Sequence, residues 1–340
     1  MKYSLTSGVR LAWLDYIKGI CMFGIIIVHL CTVPFYDTLI MPWCLTGFFF
    51  VSGYTYKTYN SFADFLMRKI KALLIPVFSF GILNALLTYF AYHISLSERL
   101  MGLFCQIPGH GDDMWFVACL FVMCLMYYPI SKIGCSWIRF SVCLMFLFAG
   151  IVVLIFVNQY LPWHIITACM MLLILDAGYA FKSLDGYVSI KQYMSRCPWW
   201  LIFAAWTIFV TFAFSISNST VDIHLNKYGN IGAYYLNVVL ALVPLVVTCI
   251  KLEEYNALWI AKCLSFVGRH SLTFYGLQSK TITTIVKILS VAGISTIAVP
   301  AQPVLALFVL VALAPVVYII DRYMPFMCGK RNNKKLLTQV

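Results

Sequence analysis

Charge is scarce in this chain. Asp, Glu, Lys and Arg make up 11% of its 340 residues and hydrophobic residues 62%, which excludes an ordinary soluble domain. Carboxylates are the scarcer sign, with 12 Asp and Glu against 24 Lys and Arg and a formal charge of +12. No nucleophile elbow, Walker loop, zinc motif or dinucleotide fingerprint occurs anywhere. The 13 cysteines are scattered through mostly apolar segments, with no Cys-x-x-Cys pair and no metal-ligand spacing. They read as small buried apolar residues, and no metal is expected. Internal repeats and low-complexity linkers are also missing, which weighs against a transporter built from inverted repeats.

What the chain has is long apolar runs. Segments able to cross a hydrocarbon core of about 30 Å recur along its length. They predict an all-α polytopic membrane protein with about ten transmembrane helices, near residues 13–33, 39–56, 73–92, 114–131, 140–157, 161–181, 199–217, 230–250, 271–290 and 303–321. A single domain of residues 1–340 follows, with helices over about 13–321 and a basic tail at 322–340. The first span is expected to stay in the mature protein, because Asp15 and Lys18 interrupt its apolar region and no small-x-small cleavage site follows.

The basic residues act as a topology signal. Taking the N-terminus as inside, cytoplasmic segments hold 19 of the 24 Lys and Arg. The opposite loops hold only Arg99 and Lys227, leaving Lys18, Lys280 and Lys287 within spans. This bias predicts an even span count with both termini cytoplasmic. It also accounts for the net charge without nucleic acid.

An ionisable residue inside a span is a functional-site hypothesis by default. Lys18 and His29 sit in the first span, and eleven steps of about 100° bring them to one helix face, about 16 Å apart along the axis. Asp15 joins that face. His29 lies roughly 27 Å from the cytoplasmic start of its helix, where a neutral imidazole would serve as general base; a histidine bonded to a neighbouring span is the other reading. Lys18 either forms a structural pair with Asp15 or attracts an anionic cofactor from the cytoplasm. Lys280 and Lys287 share one face of the ninth span and are expected to look into protein or water.

Other clusters also admit two readings. Arg68, Lys69 and Lys71 either grip phosphates or simply flank a helix. Ser52 and Tyr54, beside the small residue Gly53, either line a cavity or serve helix packing. Asp112 and Asp113 open the fourth span as acceptors or caps, and Trp115 suits an aromatic belt. The loops His93–Asp113 and Ser215–Gly229, the second containing Asn218, Asp222, His224, Asn226 and Lys227, are rich in hydrogen-bonding groups, as a surface handling sugar hydroxyls would be.

Taken in order, these segments resemble the acyltransferase 3 family, in particular its fucose 4-O-acetylase-like branch. The resemblance runs through Leu14-Asp15-Tyr-Ile-Lys18-Gly19 to His29, Phe49 to Tyr54, Arg68 to Lys71 with Ile75-Pro76, Trp115-Phe116, Lys227 to Asn230 and Phe266 to Leu272. Lys18 and Lys71 stand where arginine is common in the family, and Gln278 where many relatives carry histidine. The resemblance implies an inner-membrane O-acetyltransferase that moves an acetyl group from cytoplasmic acetyl-CoA to a sugar hydroxyl of a surface glycan or its lipid-linked precursor. It implies His29 as base with Lys18 and Asp15 beside the donor path, and Arg68, Lys69 and Lys71 on the donor's phosphates. Ser52, Tyr54, Asp113 and Trp115 are the expected substrate or oxyanion contacts. Partners are the acceptor saccharide, the lipid bilayer and, compatibly, a second copy of the chain. The alternative from another class is a glycan or precursor transporter or flippase.

Overall fold

A computed structural model describes residues 10–30, 34–106, 111–156, 161–194, 197–215, 221–255, 257–293 and 301–330. Lys2, Arg196, Asn218 and the tail beyond residue 330 lie outside the described residues, as do 107–110 and 216–220 of the two polar loops.

The described residues form helices α1 (Ala12–Leu30), α2 (Pro34–Tyr54), α3 (Phe62–Lys69), α4 (Ile75–Tyr92), α5 (Leu96–Cys105), α6 (Trp115–Ile130) and α7 (Ser136–Phe156). They continue with α8 (Ile165–Ser183), α9 (Gly186–Met194), α10 (Trp199–Ser215), α11 (Ile231–Leu252), α12 (Trp259–Arg269), α13 (Ser271–Val291) and α14 (Ala301–Tyr323). A π-helical turn, Ile70–Leu74, joins α3 to α4. In lipid the backbone must satisfy its own hydrogen bonds, and a helix does this within one segment. Seven helical runs among the described residues are long and apolar enough to cross a membrane: α1, α2, Phe62–Tyr92, α7, Pro162–Ser183, Ile231–Tyr255 and α14. Helices α6 and α10 are apolar but shorter. Helix α13, which carries Lys280 and Lys287, lies where a further span was expected. The polar segment 93–113 is not all loop: it contains α5, whose buried Leu103 packs on Gly81 of α4.

Helix α1 lies at the centre, packed against α2, α11, α12, α13 and α14. Helices α7, α10 and α14 turn large apolar side chains outward, among them Trp137, Phe148, Phe203 and Phe308. These faces suit lipid.

Two close approaches fix the centre. A Cβ on Gly53 of α2 would lie 1.8 Å from the Leu175 carbonyl oxygen, and one on Gly178 of α8 would lie 2.0 Å from that of Phe50. Only glycine lets these backbones touch, which is the packing role expected at Gly53. Gly19 and Gly268 make the equivalent contact between α1 and α12, against Leu264 and Asp15. Beside the α2–α8 seam, buried Asp176 accepts from Arg139 Nε at 2.5 Å and from the Tyr127 hydroxyl at 2.6 Å, tying α6, α7 and α8 together.

Several basic side chains collect at one end of the bundle. Lys182 donates to the Tyr56 carbonyl, Lys251 to that of Met194, and Lys330 to Asp321. Trp13 at the start of α1 stacks on Tyr187 and meets Tyr54 edge-on at 4.9 Å, so the start of α1 and the end of α2 share this basic end. His29 is at the other.

Candidate active site

His29 occupies the last turn of α1. Its Nδ1 lies 2.8 Å from the Ile25 carbonyl oxygen. A carbonyl only accepts, so Nδ1 carries the proton, and in the neutral ring Nε2 keeps its lone pair. The side chain is exposed to a cavity of about 390 Å³, whose walls also include Asp37, Trp115, Asp222, His224 and Tyr275. A second hollow of about 190 Å³ adds Arg99, Asp112, Asp113 and Gln278. His29, Trp115, His224 and Tyr275 line both. The larger volume falls in the range of small-ligand sites, and a mix of aromatic faces with a few polar groups is what orients a ligand.

The walls are fastened from three directions. Asp113 pairs with Arg99 at 3.0 Å and with Lys280 of α13 at 3.6 Å, so Lys280 faces a carboxylate. Lys287, further along α13, sits over the ring of Tyr92 at 3.9 Å. Asp112 is buried, and its Oδ2 lies 2.5 Å from His224 Nε2 and 3.5 Å from His164 Nε2. Trp115, whose amide donates to the Asp112 carbonyl, packs its ring 5.0 Å from that of His224 and 5.2 Å from that of His164. The segment carrying His224 closes on itself through an Asp222–Lys227 bridge. Thr167 of α8 holds it by donating to Asn226 Oδ1 at 2.9 Å. Burial pushes the Tyr228 phenol well above its ordinary range, keeping it neutral beneath this loop.

Of the residues singled out from sequence, His29, Asp113 and Trp115 meet at this cavity. Ser52 and Tyr54 do not. Tyr54 is buried against Trp13, and His29 lies sixteen residue steps along α1 from Trp13, about 24 Å at 1.5 Å per residue. Helix α2 runs antiparallel to α1, so its last turn lies at the end of the bundle opposite His29. Asp113, held by two cations, anchors an ion pair in the cavity wall. The N-cap of α6 is Met114 and makes no side-chain cap, so neither aspartate caps the helix. Asp112, His164 and the half-buried His224 form a cluster that local spacing did not announce.

At the basic end, Asp15 is 2% exposed and is held by Lys18 at 2.7 Å and by Arg10 through bonds of 2.6 and 3.0 Å. Its hydrogen bond raises the Arg10 pKa above the ordinary value. Two cations on one carboxylate leave a positive surplus, where sequence suggested a neutral pair. Met22 and Ile25, between Lys18 and His29 on α1, are 0% and 2% exposed, so packed side chains separate the two groups. Arg68 and Lys71 are exposed, with Arg68 over the Tyr59 ring and Lys69 over that of Tyr56. The Lys71 backbone is also fixed: a Cβ on Gly329 would lie 1.6 Å from its carbonyl oxygen, and Gly329 has a φ of +65°.

A family model described as an acyltransferase domain matches residues 11–321, nearly the whole described bundle. No curated protein and no solved structure matches the chain. The match starts beside Asp15 and Lys18, spans the His29 cavity, and ends in α14. On that extent, the chain belongs to the acyltransferase 3 family and is a membrane O-acyltransferase.

Proposed function

We propose that the protein transfers an acetyl group from acetyl-CoA, bound at the basic end, to a sugar hydroxyl held in the cavity around His29. The acceptor is a cell-surface glycan or its lipid-linked precursor. In this reading the chain sits in the cytoplasmic (inner) membrane with ten spans, α6, α10 and α13 included, and its basic end faces the cytoplasm. The fucose 4-O-acetylase-like branch is the part of the family it fits on sequence pattern.

The supporting observation is the state of His29. Its Nδ1 proton is committed to the Ile25 carbonyl, so the free Nε2 faces a cavity with a Trp115 indole for a sugar face and with Asp37, Asp222 and His224 for hydroxyls. Nε2 takes the hydroxyl proton as the oxygen attacks the thioester carbonyl. The C–S bond then breaks, and the coenzyme leaves as thiolate and collects a proton. With Ser52 and Tyr54 displaced from the site, the Tyr275 phenol is the hydroxyl in place to steady the oxyanion. General-base action contributes about 10²–10⁴-fold. Arg68 and Lys71 meet the donor's phosphates, and Lys18 with Arg10 adds positive potential along the way in. Met22 and Ile25 must give way to the pantetheine arm.

Surface glycans compared by proton NMR with and without the gene test this reading. Loss of an O-acetyl methyl signal from an otherwise intact surface polymer supports it. Retention of polymer inside the cell, with its acetyl groups unchanged, would instead assign the chain to transport.

A further inference from the structure

We propose that Asp112, His164 and His224 form a binding site for one divalent d-block cation, with zinc the best match to the donor set. The three residues come from the turn before α6, the turn before α8 and the loop before α11, and their ligand atoms lie within 4.8 Å of one another. Two imidazole nitrogens and one carboxylate oxygen are a common catalytic zinc set, with a fourth position left open. Tetrahedral ligands at about 2.0–2.2 Å from zinc stand about 3.3–3.6 Å apart. The 3.5 Å between His164 Nε2 and Asp112 Oδ2 already has that spacing. His224 Nε2, at 2.5 Å from the same oxygen, must retreat by about 1 Å. Its position on a loop, with a side chain 25% exposed, gives it room to do so.

The independent sign is His164. Its side chain is 2% exposed, and its buried Nε2 stands 3.5 Å from Asp112 Oδ2, longer than an ordinary hydrogen bond, with no closer partner. Buried polar atoms are normally satisfied, and an exception signals a missing ion or water. The backbone is held in position for it: Trp163 and His164 take φ values of 61° and 53°, a left-handed conformation uncommon outside glycine. Such strain persists where surrounding structure enforces it and clusters at ligand sites. A cation there would also neutralise the buried Asp112. Because His224 and Asp112 line the hollow shared with His29, the open coordination position faces the same cavity. There the metal would bind a water or the acceptor hydroxyl. Metal binding as such stands apart from the acetyl-transfer reading, and its test reads metal rather than turnover.

The full chain is purified in detergent through a tag without histidine, stripped with dipicolinate, reloaded with zinc sulfate and analysed for metal. About one zinc per chain is expected, falling to background in Asp112→Asn and His164→Gln. His270→Gln, at the basic end, keeps the wild-type content. Because the first two variants alter buried side chains, His224→Cys loaded with cobalt supplies a second readout. A thiolate-to-cobalt charge-transfer band absent from the wild type is expected. Wild-type protein that retains no zinc, a folded His164→Gln that retains the full amount, or a His224→Cys protein without the band would each overturn the proposal.

Discussion

Replacing Arg68 and Lys71 together by alanine tests whether the basic end binds the donor or only orients the protein. Both side chains are exposed, Arg68 lies over Tyr59, and the π-helical turn at Ile70–Leu74 sets them at the foot of α4. A hydrogen bond to a charged group contributes about 1.5–3 kcal/mol, and exposure places these two at the lower end. Losing both therefore removes about 3 kcal/mol of donor binding, roughly a hundredfold in KM for acetyl-CoA. Neither group approaches the His29 cavity, so kcat at saturating donor should hold. The assay is initial-rate acetylation in detergent at varied acetyl-CoA and fixed acceptor. Acetyl-dephospho-CoA, which lacks the 3′-phosphate, shows whether that phosphate is the one held. A donor KM at the wild-type value in the double variant refutes the reasoning and returns the cluster to topology alone.

Asp176→Asn should destabilise the protein by about 3–5 kcal/mol, because it leaves the buried Arg139 guanidinium unpaired. Arg139→Met with Asp176→Leu should recover most of this in an SDS titration of the folded fraction. Gly53→Ala places a methyl 1.8 Å from the Leu175 carbonyl oxygen and should cost about 1–3 kcal/mol in the same titration. Ser52→Ala should be silent there, and an equally silent Gly53→Ala would contradict the α2–α8 contact. Tyr54→Phe should leave kcat unchanged while Tyr275→Phe lowers it, since only Tyr275 lines the cavity. The reverse order would restore the hydroxyls at the end of α2 as site residues.

The sequence shows one face of a helix well and the meeting of distant helices poorly. Lys18, His29 and Asp15 were legible because they lie on one helix and their angular relation is arithmetic. Packing at Gly53 was legible because a small residue in a span has few other uses. The distance of Ser52 and Tyr54 from His29 was not legible, because a single span read without its direction does not say at which end it finishes. The run of Lys57, Arg68 and Lys69 just beyond α2 already marks its last turn as belonging to the basic end. His164 carried only a weak signal, as a polar residue in Leu161-Pro-Trp-His at the mouth of an apolar run. Its relation to Asp112 and His224 depends on three connections folding over one end of the bundle, which no local spacing encodes. Asp112 in turn read as a cap because an aspartate before a helix looks alike whether it caps that helix or faces an imidazole.

The most direct test of the central claim is the initial rate of acetyl transfer by His29→Ala, measured in membranes containing as much inserted protein as wild type. The account predicts a rate lower by at least about a hundredfold at saturating acetyl-CoA. A His29→Ala protein that acetylates its acceptor at the wild-type rate would contradict it.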